Sequence, residues 1–173
     1  WDAHEIAFQR LSRSSQAMVA KLQHKLVNTN FQNAKYYGKS SLCPCCLTEV
    51  ETLEHVFSCL SEGSINNRSM HLLKLQDDLA SIQTPPVVIS AILHGITKWI
   101  CQQTDEDLCV HAPTIGSLRG TDVLVTVAFT EQYQSIGWFN LLLGRLSSRW
   151  GQAVAALHIS ADPLYHRTWT AQT

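Results

Sequence analysis

The sequence predicts an all-α fold, a helical assembly around a small cysteine-rich turn–helix element. Three observations predict it. Apolar residues recur at three- and four-residue steps in several separate segments. Proline, glycine and short polar runs punctuate those segments where helices should begin and end. One run, residues 43–59, sets a Cys-x₂-Cys pair ahead of a histidine and a further cysteine.

Taken in order, Met18, Leu22 and Leu26 step by four, with Lys21 and Lys25 on other faces, and predict a first helix that stops at Asn28-Thr29-Asn30. Residues 31–41 follow, with Tyr36-Tyr37-Gly38-Lys39 as an aromatic, basic connector into the cysteines. After them Ser61-Glu62-Gly63-Ser64 reads as a polar break. Leu72, Leu75, Leu79 and Ile82 then form one apolar stripe of a helix. Thr84-Pro85-Pro86 ends it and begins the next, because proline suits the first turn of a helix and not its interior. Val88 or Ile89, Ile92, Ile96 and Trp99 or Ile100 continue the period to about residue 103. Residues 104–120 read as a long loop. Thr121-Asp122 suits a helix cap, although Val123, Val125 and Val127 also alternate as a strand would. Ile136, Phe139, Leu143, Leu146, Trp150, Val154 and Leu157 predict one helix of six turns, and Asp162-Pro163 breaks the pattern.

The 173 residues are 45% hydrophobic and 16% charged, a globular composition with no membrane-length apolar run. The opening Trp1-Asp2-Ala3-His4 shows no initiator methionine and no secretion signal, which points to a piece of a larger polypeptide; the terminus does not give the compartment, and the expected setting is intracellular, nucleus or cytoplasm. Net charge is −1, but it is unevenly spread. Residues 1–40 carry six Lys or Arg against two acids, residues 41–62 four Glu and no base, and residues 63–173 seven bases against eight acids. Three units follow: a basic helix and connector over 1–40, a finger over 41–62 and a helical domain over 63–173. The asymmetry suits an anionic partner, and equally a solvated helix face.

Cys43 and Cys46 have the spacing that lets a tight turn aim two sulfurs at one ion. Thr52 is a good N-cap, and a helix beginning there stacks His55 and Cys59 at i and i+4 on one face. Two ligands from a turn and two from a helix complete a tetrahedron suited to Zn²⁺, a CCHC site with no position left for water and therefore a structural one. Cys45 is excluded because adjacent cysteines aim their sulfurs poorly. A disulfide or a set of buried thiols is the rival reading, and the lack of a secretory signal weighs against it.

Because an acidic finger holds phosphate poorly, any RNA or DNA contact falls to Lys21, Lys25, Lys35, Tyr36 and Lys39, lysines for phosphates and aromatics for bases. The competing and preferred reading for Tyr36-Tyr37 is that one packs into the core beside Phe31. Among other candidates, Cys101, Cys109 and His111 lack a fourth ligand and a recognised spacing for a second metal. His94 reads as a satisfied core histidine, Arg145 and Arg149 as an exposed face before a phosphate clamp, and Asp77-Asp78 as solvated. No phosphate loop, nucleophile elbow or clear acid pair is present, so no catalytic residue is assigned.

The run Leu42-Cys43-Pro44-x-Cys46, then Glu51-Thr52-x-x-His55-x-Phe57-x-x-Cys59, resembles the zinc-binding domain found C-terminal to reverse transcriptases of non-LTR retrotransposons. The ligand positions match one for one, and the glycine frequent after the second cysteine is Leu47 here. The likeness covers about residues 20–62; Gln134-x-Ile136-Gly137-Trp138 and Gly144-Arg145-Leu146-Ser147-x-x-Trp150 resemble the tails of retroelement-type proteins. The resemblance implies an accessory zinc module of a reverse-transcriptase polyprotein, partnered by nucleic acid and by the rest of its parent polypeptide, with no membrane. It does not imply polymerase activity, since a Tyr-x-Asp-Asp turn is absent. A zinc-stabilised protein-interaction module is the second expectation, suggested by the near-neutral charge and the apolar face over 136–157.

Overall fold

A computed structural model describes residues 9–104 and 122–161. Among these residues the fold is all-α, with one isolated antiparallel bridge, Leu42 to Val50, in place of a sheet. Helix α1 spans Arg13–Gln23 and α2 Asn30–Tyr37. The short α3, Leu53–Ser58, belongs to the finger. Long helices α4, Glu62–Ser81, and α5, Pro86–Thr104, follow. The chain then continues as α6, Asp122–Glu131, a π-turn over Gln132–Ile136, α7, Trp138–Leu142, and α8, Ser148–Ala161. The helical alternative thus wins over the strand at 123–127. The loop expected over 104–120 lies outside the described residues apart from Thr104, which closes α5, and so do Cys109 and His111.

Helix α5 is the hub, packing against α3, α4, α6, α7 and α8. Its stripe is the one the period predicts: Val88, Ile92, Ile96 and Ile100 are all buried. Each such side chain contributes about 1.5–3 kcal/mol on burial. They meet Val125 and Ala128 of α6, Trp138 of α7, and Trp150 and Ala153 of α8 in one core. Gly95 is required there, because a Cβ would collide with the Trp138 indole lying against it. On α4, Leu72 and Leu75 pack against this core, but Ile82, past the end of the helix, is exposed.

Four boundaries differ from expectation, each because of backbone hydrogen bonding. Helix α1 ends at Gln23, where His24 and Lys25 (φ +55°) turn the chain, so Leu26 leaves the stripe and is exposed. Thr29 does not stop that helix; its buried hydroxyl accepts from Gln32 N–H and starts α2. Ser61-Glu62-Gly63-Ser64 is no break, for Ser61 caps α4 by accepting from Ser64 N–H. The six-turn helix over 136–157 is two helices. Gly144 adopts φ +81° and Ser147 N–H is taken by the Gln132 side chain at 3.0 Å, so α7 and α8 are joined by a turn that leaves Leu146 in solvent.

That junction is organised by Gln132, which is fully buried. Its Nε2 donates to the Gly137 and Arg145 carbonyls at 3.1 and 3.3 Å. Its Oε1 accepts from Ser147 N–H and from Trp150 Nε1, the latter at 3.3 Å. Every polar atom of a buried amide is thereby engaged, as a low-dielectric interior demands. Arg145 and Arg149 are spent locally too: Arg145 donates to the Gln23 carbonyl at 3.0 Å, and Arg149 lies 3.6 Å from Glu131.

Candidate metal centre

The finger is built by a turn and a helix pinned to each other. Cys43 N–H donates to the Glu49 carbonyl and Glu51 N–H to the Ser41 carbonyl, both at 2.8 Å, closing a small loop around residues 43–49. Leu47 N–H donates back to the Cys43 carbonyl at 2.9 Å, and Leu47 takes φ +61°. This left-handed conformation favours glycine, so Leu47 holds a backbone geometry that glycine would supply without strain. Thr52 caps α3 as predicted, its hydroxyl accepting from His55 N–H at 3.1 Å.

The consequence is convergence. The ligand atoms of Cys43, Cys46, His55 and Cys59 all lie within 4.8 Å of one another. Cys43 Sγ and Cys59 Sγ are 3.8 Å apart, and Cys46 Sγ is 3.4 Å from His55 Nε2. A tetrahedron with metal–sulfur bonds of about 2.3 Å and metal–nitrogen bonds of about 2.0–2.1 Å has edges of about 3.8 Å between sulfurs and about 3.5 Å between sulfur and nitrogen. The two separations match those edges. They do not match a disulfide, whose sulfurs sit about 2.05 Å apart, and all four of the finger's cysteines are free. Cys45 is exposed, its N–H donating to Cys43 Sγ at 3.4 Å, which leaves it outside the cluster as expected.

Electrostatics suit a cation. Burial pushes the Cys43 thiol up to about 11. Hydrogen bonds from Thr48 and from the Glu49 backbone hold Cys46 down at about 6. Burial also raises Cys59, but hydrogen bonds from Ser61 outweigh it and leave the thiol below its ordinary value. For His55, burial works downward and is overcome by Cys46 and by the negative sulfurs around it, so the imidazole is raised. Two thiols that ionise readily, a buried third that does not and a histidine drawn to their charge form a donor set that a divalent ion would stabilise as thiolates together.

Glu49 supplies what the ligand spacing did not reveal. Its carboxylate is 3.1 Å from His55 Nδ1, so the tautomer with Nδ1–H leaves Nε2 for the ion. The sequence offered only a cluster of four glutamates. The signal was the position of Glu49 in the turn opposite the histidine. Arg68 is a second addition from α4, its Nη1 donating to the Phe57 and Cys59 carbonyls at 2.9 and 3.1 Å and so binding the finger helix to α4.

The residues assigned to nucleic acid fare unequally. Lys35 sits 5.2 Å from the Tyr36 ring, and Tyr36 and Tyr37 are 64% and 72% exposed. The expectation that one of the tyrosines packs into the core beside Phe31 is therefore overturned; Phe31 is itself exposed, and α2 is tied to the finger through Asn30, whose N–H donates to the Glu51 carboxylate and whose Nδ2 donates to the Leu42 carbonyl. Lys21 and Lys39 are exposed. Lys25 is used internally, 3.8 Å from Glu54 and 5.0 Å from the Phe139 ring. His94 is not the satisfied core histidine expected: its Nδ1 is buried without a hydrogen-bond partner, its ring faces Phe129, and burial lowers its pKa. Among the described residues no helix is long and apolar enough to cross a membrane. No family model matches this chain, and no curated protein or solved structure matches it.

Proposed function

We propose that this chain is a zinc-stapled, non-catalytic accessory module, of the kind appended to retrotransposon-type reverse transcriptases, that holds single-stranded RNA or DNA on the surface just before the finger. One observation carries the reading. The last turn of α2 presents Tyr36 and Tyr37 to solvent beside Lys35, with Lys39 just beyond the Gly38 cap, and among the described residues neither ring is buried. Large aromatics left in water next to cations suit stacked bases and phosphates. Zinc follows from the three-thiolate, one-imidazole set at tetrahedral spacing, and four protein ligands leave the ion without an open position. A protein-interaction role loses its first support, since Trp150, Val154 and Leu157 face the core. It keeps a weaker one in the exposed Val123 and Val127 of α6.

The test is fluorescence anisotropy of the zinc-loaded chain with labelled single-stranded RNA and DNA over a salt series. Affinity should fall with salt, drop about tenfold or more in Tyr36→Ala/Tyr37→Ala, and weaken again with Lys35→Gln/Lys39→Gln. Binding indifferent to these four residues would sink the proposal.

A further inference from the structure

Between the finger and the helical core lies a cavity of about 490 Å³, open on one side, that neither metal binding nor the α2 surface uses. Its size falls within the range of small-molecule sites, about 300–1,000 Å³. Its lining is sorted by chemistry. Helix α3 contributes Val56 and Phe57, and α5 contributes Ile96 and Ile100, so the deep surface is hydrocarbon. Helix α4 contributes Leu72 and Leu75 to that hydrocarbon and also Ser64, Asn67, Arg68 and His71, residues at helical spacing that add hydroxyl, amide, guanidinium and imidazole to the lining.

Arg68 is the only residue of fixed charge in the lining, and no carboxylate accompanies it. Half-buried, its guanidinium uses Nη1 on two carbonyls of the finger. Among the described residues Nη2 and Nε make no hydrogen bond. A guanidinium beside apolar walls, with donors to spare and no carboxylate in the lining, recognises an anion that also carries a hydrocarbon body. We infer that this cavity binds an amphipathic monocarboxylate of medium chain length, its carboxylate toward Arg68, Asn67 and His71 and its chain against Ile96 and Ile100.

The experiment is isothermal titration of the full zinc-loaded chain with laurate and dodecyltrimethylammonium, both below their critical micelle concentrations. Laurate should bind saturably at one site and the cationic probe should bind at least about tenfold more weakly. Arg68→Ala would test the anion contact but also releases the finger carbonyls, so two other variants carry the decision. His71 is exposed, and His71→Glu sets a negative charge at the mouth without touching the fold; laurate affinity should fall about tenfold. Leu75→Trp fills the cavity and should abolish binding while helix content and the urea midpoint stay near those of the parent chain. Absent laurate saturation, equal binding of the cationic and anionic probes, or laurate affinity unmoved in both variants would each overturn the inference.

Discussion

Glu49 shows how a residue that is not a ligand sets a ligand's chemistry. By accepting from His55 Nδ1 it fixes the ring and the tautomer, although its own side chain is mostly in water. Outer partners of this kind change metal affinity by about 10–100-fold when removed. Glu49→Gln should therefore weaken zinc binding by about tenfold in competition with a chromophoric chelator, with little change in helix content. Unaltered affinity would mean that the imidazole is oriented by α3 alone. Leu47 makes the complementary point about backbone. A leucine at φ +61° is strained by about 1 kcal/mol or more, and it persists because the bonds between Cys43, Leu47 and Glu49 leave the turn no alternative.

Among elements, the α6–π–α7–α8 segment is governed by one side chain. Gln132 satisfies two carbonyls, one N–H and the Trp150 indole, and that set of bonds converts a six-turn apolar pattern into two helices meeting at an angle. Gln132→Leu keeps the volume but strands two buried donors, the Ser147 N–H and the Trp150 indole N–H, each costing about 1–3 kcal/mol if water cannot reach it. Urea unfolding should show a loss of at least about 2 kcal/mol, with Trp150 fluorescence changed in the native baseline. A loss under about 1 kcal/mol would mean that the junction is held by packing of Trp138 against Trp150, whose rings lie 6.4 Å apart, and not by the amide.

Across the molecule, the finger and the helical core are joined by aromatic and backbone contacts and do not share a core. Phe57 of α3 meets Phe139 edge-on at 6.2 Å, and Phe139 stacks on Trp99 of α5 at 5.6 Å. The core residues of α5, α6 and α8 form their own cluster. Metal binding is coupled to local folding, so chelation should raise amide hydrogen exchange across residues 42–59 while amides of α5 and α6 stay protected. Cys59→Ala should reproduce that pattern. Equal deprotection of α5 would show that the ion supports the whole fold; no change over 42–59 would remove the case for a structural site.

The sequence by itself determined the helical class, the buried face of α5 and the four Cys and His residues that converge. Apolar periods marked the buried face of α5, Pro85-Pro86 its start, and Thr52 with a four-residue step the stacking of His55 over Cys59. These are local rules, acting within one or two turns of chain. What tertiary structure decided was where local rules compete with distant partners. The period over 136–157 is genuine, yet Gln132, reaching Ser147 and Trp150 from the preceding element, divides it. Tyr36 and Tyr37 carry a core-like composition, yet α2 is anchored to the finger through Asn30, on Glu51 and Leu42, and leaves both rings in solvent. Glu49 was one of four acids until the turn closed and placed it against His55. Spacing along the chain fixes which atoms can converge; only the packed chain fixes what stands behind them.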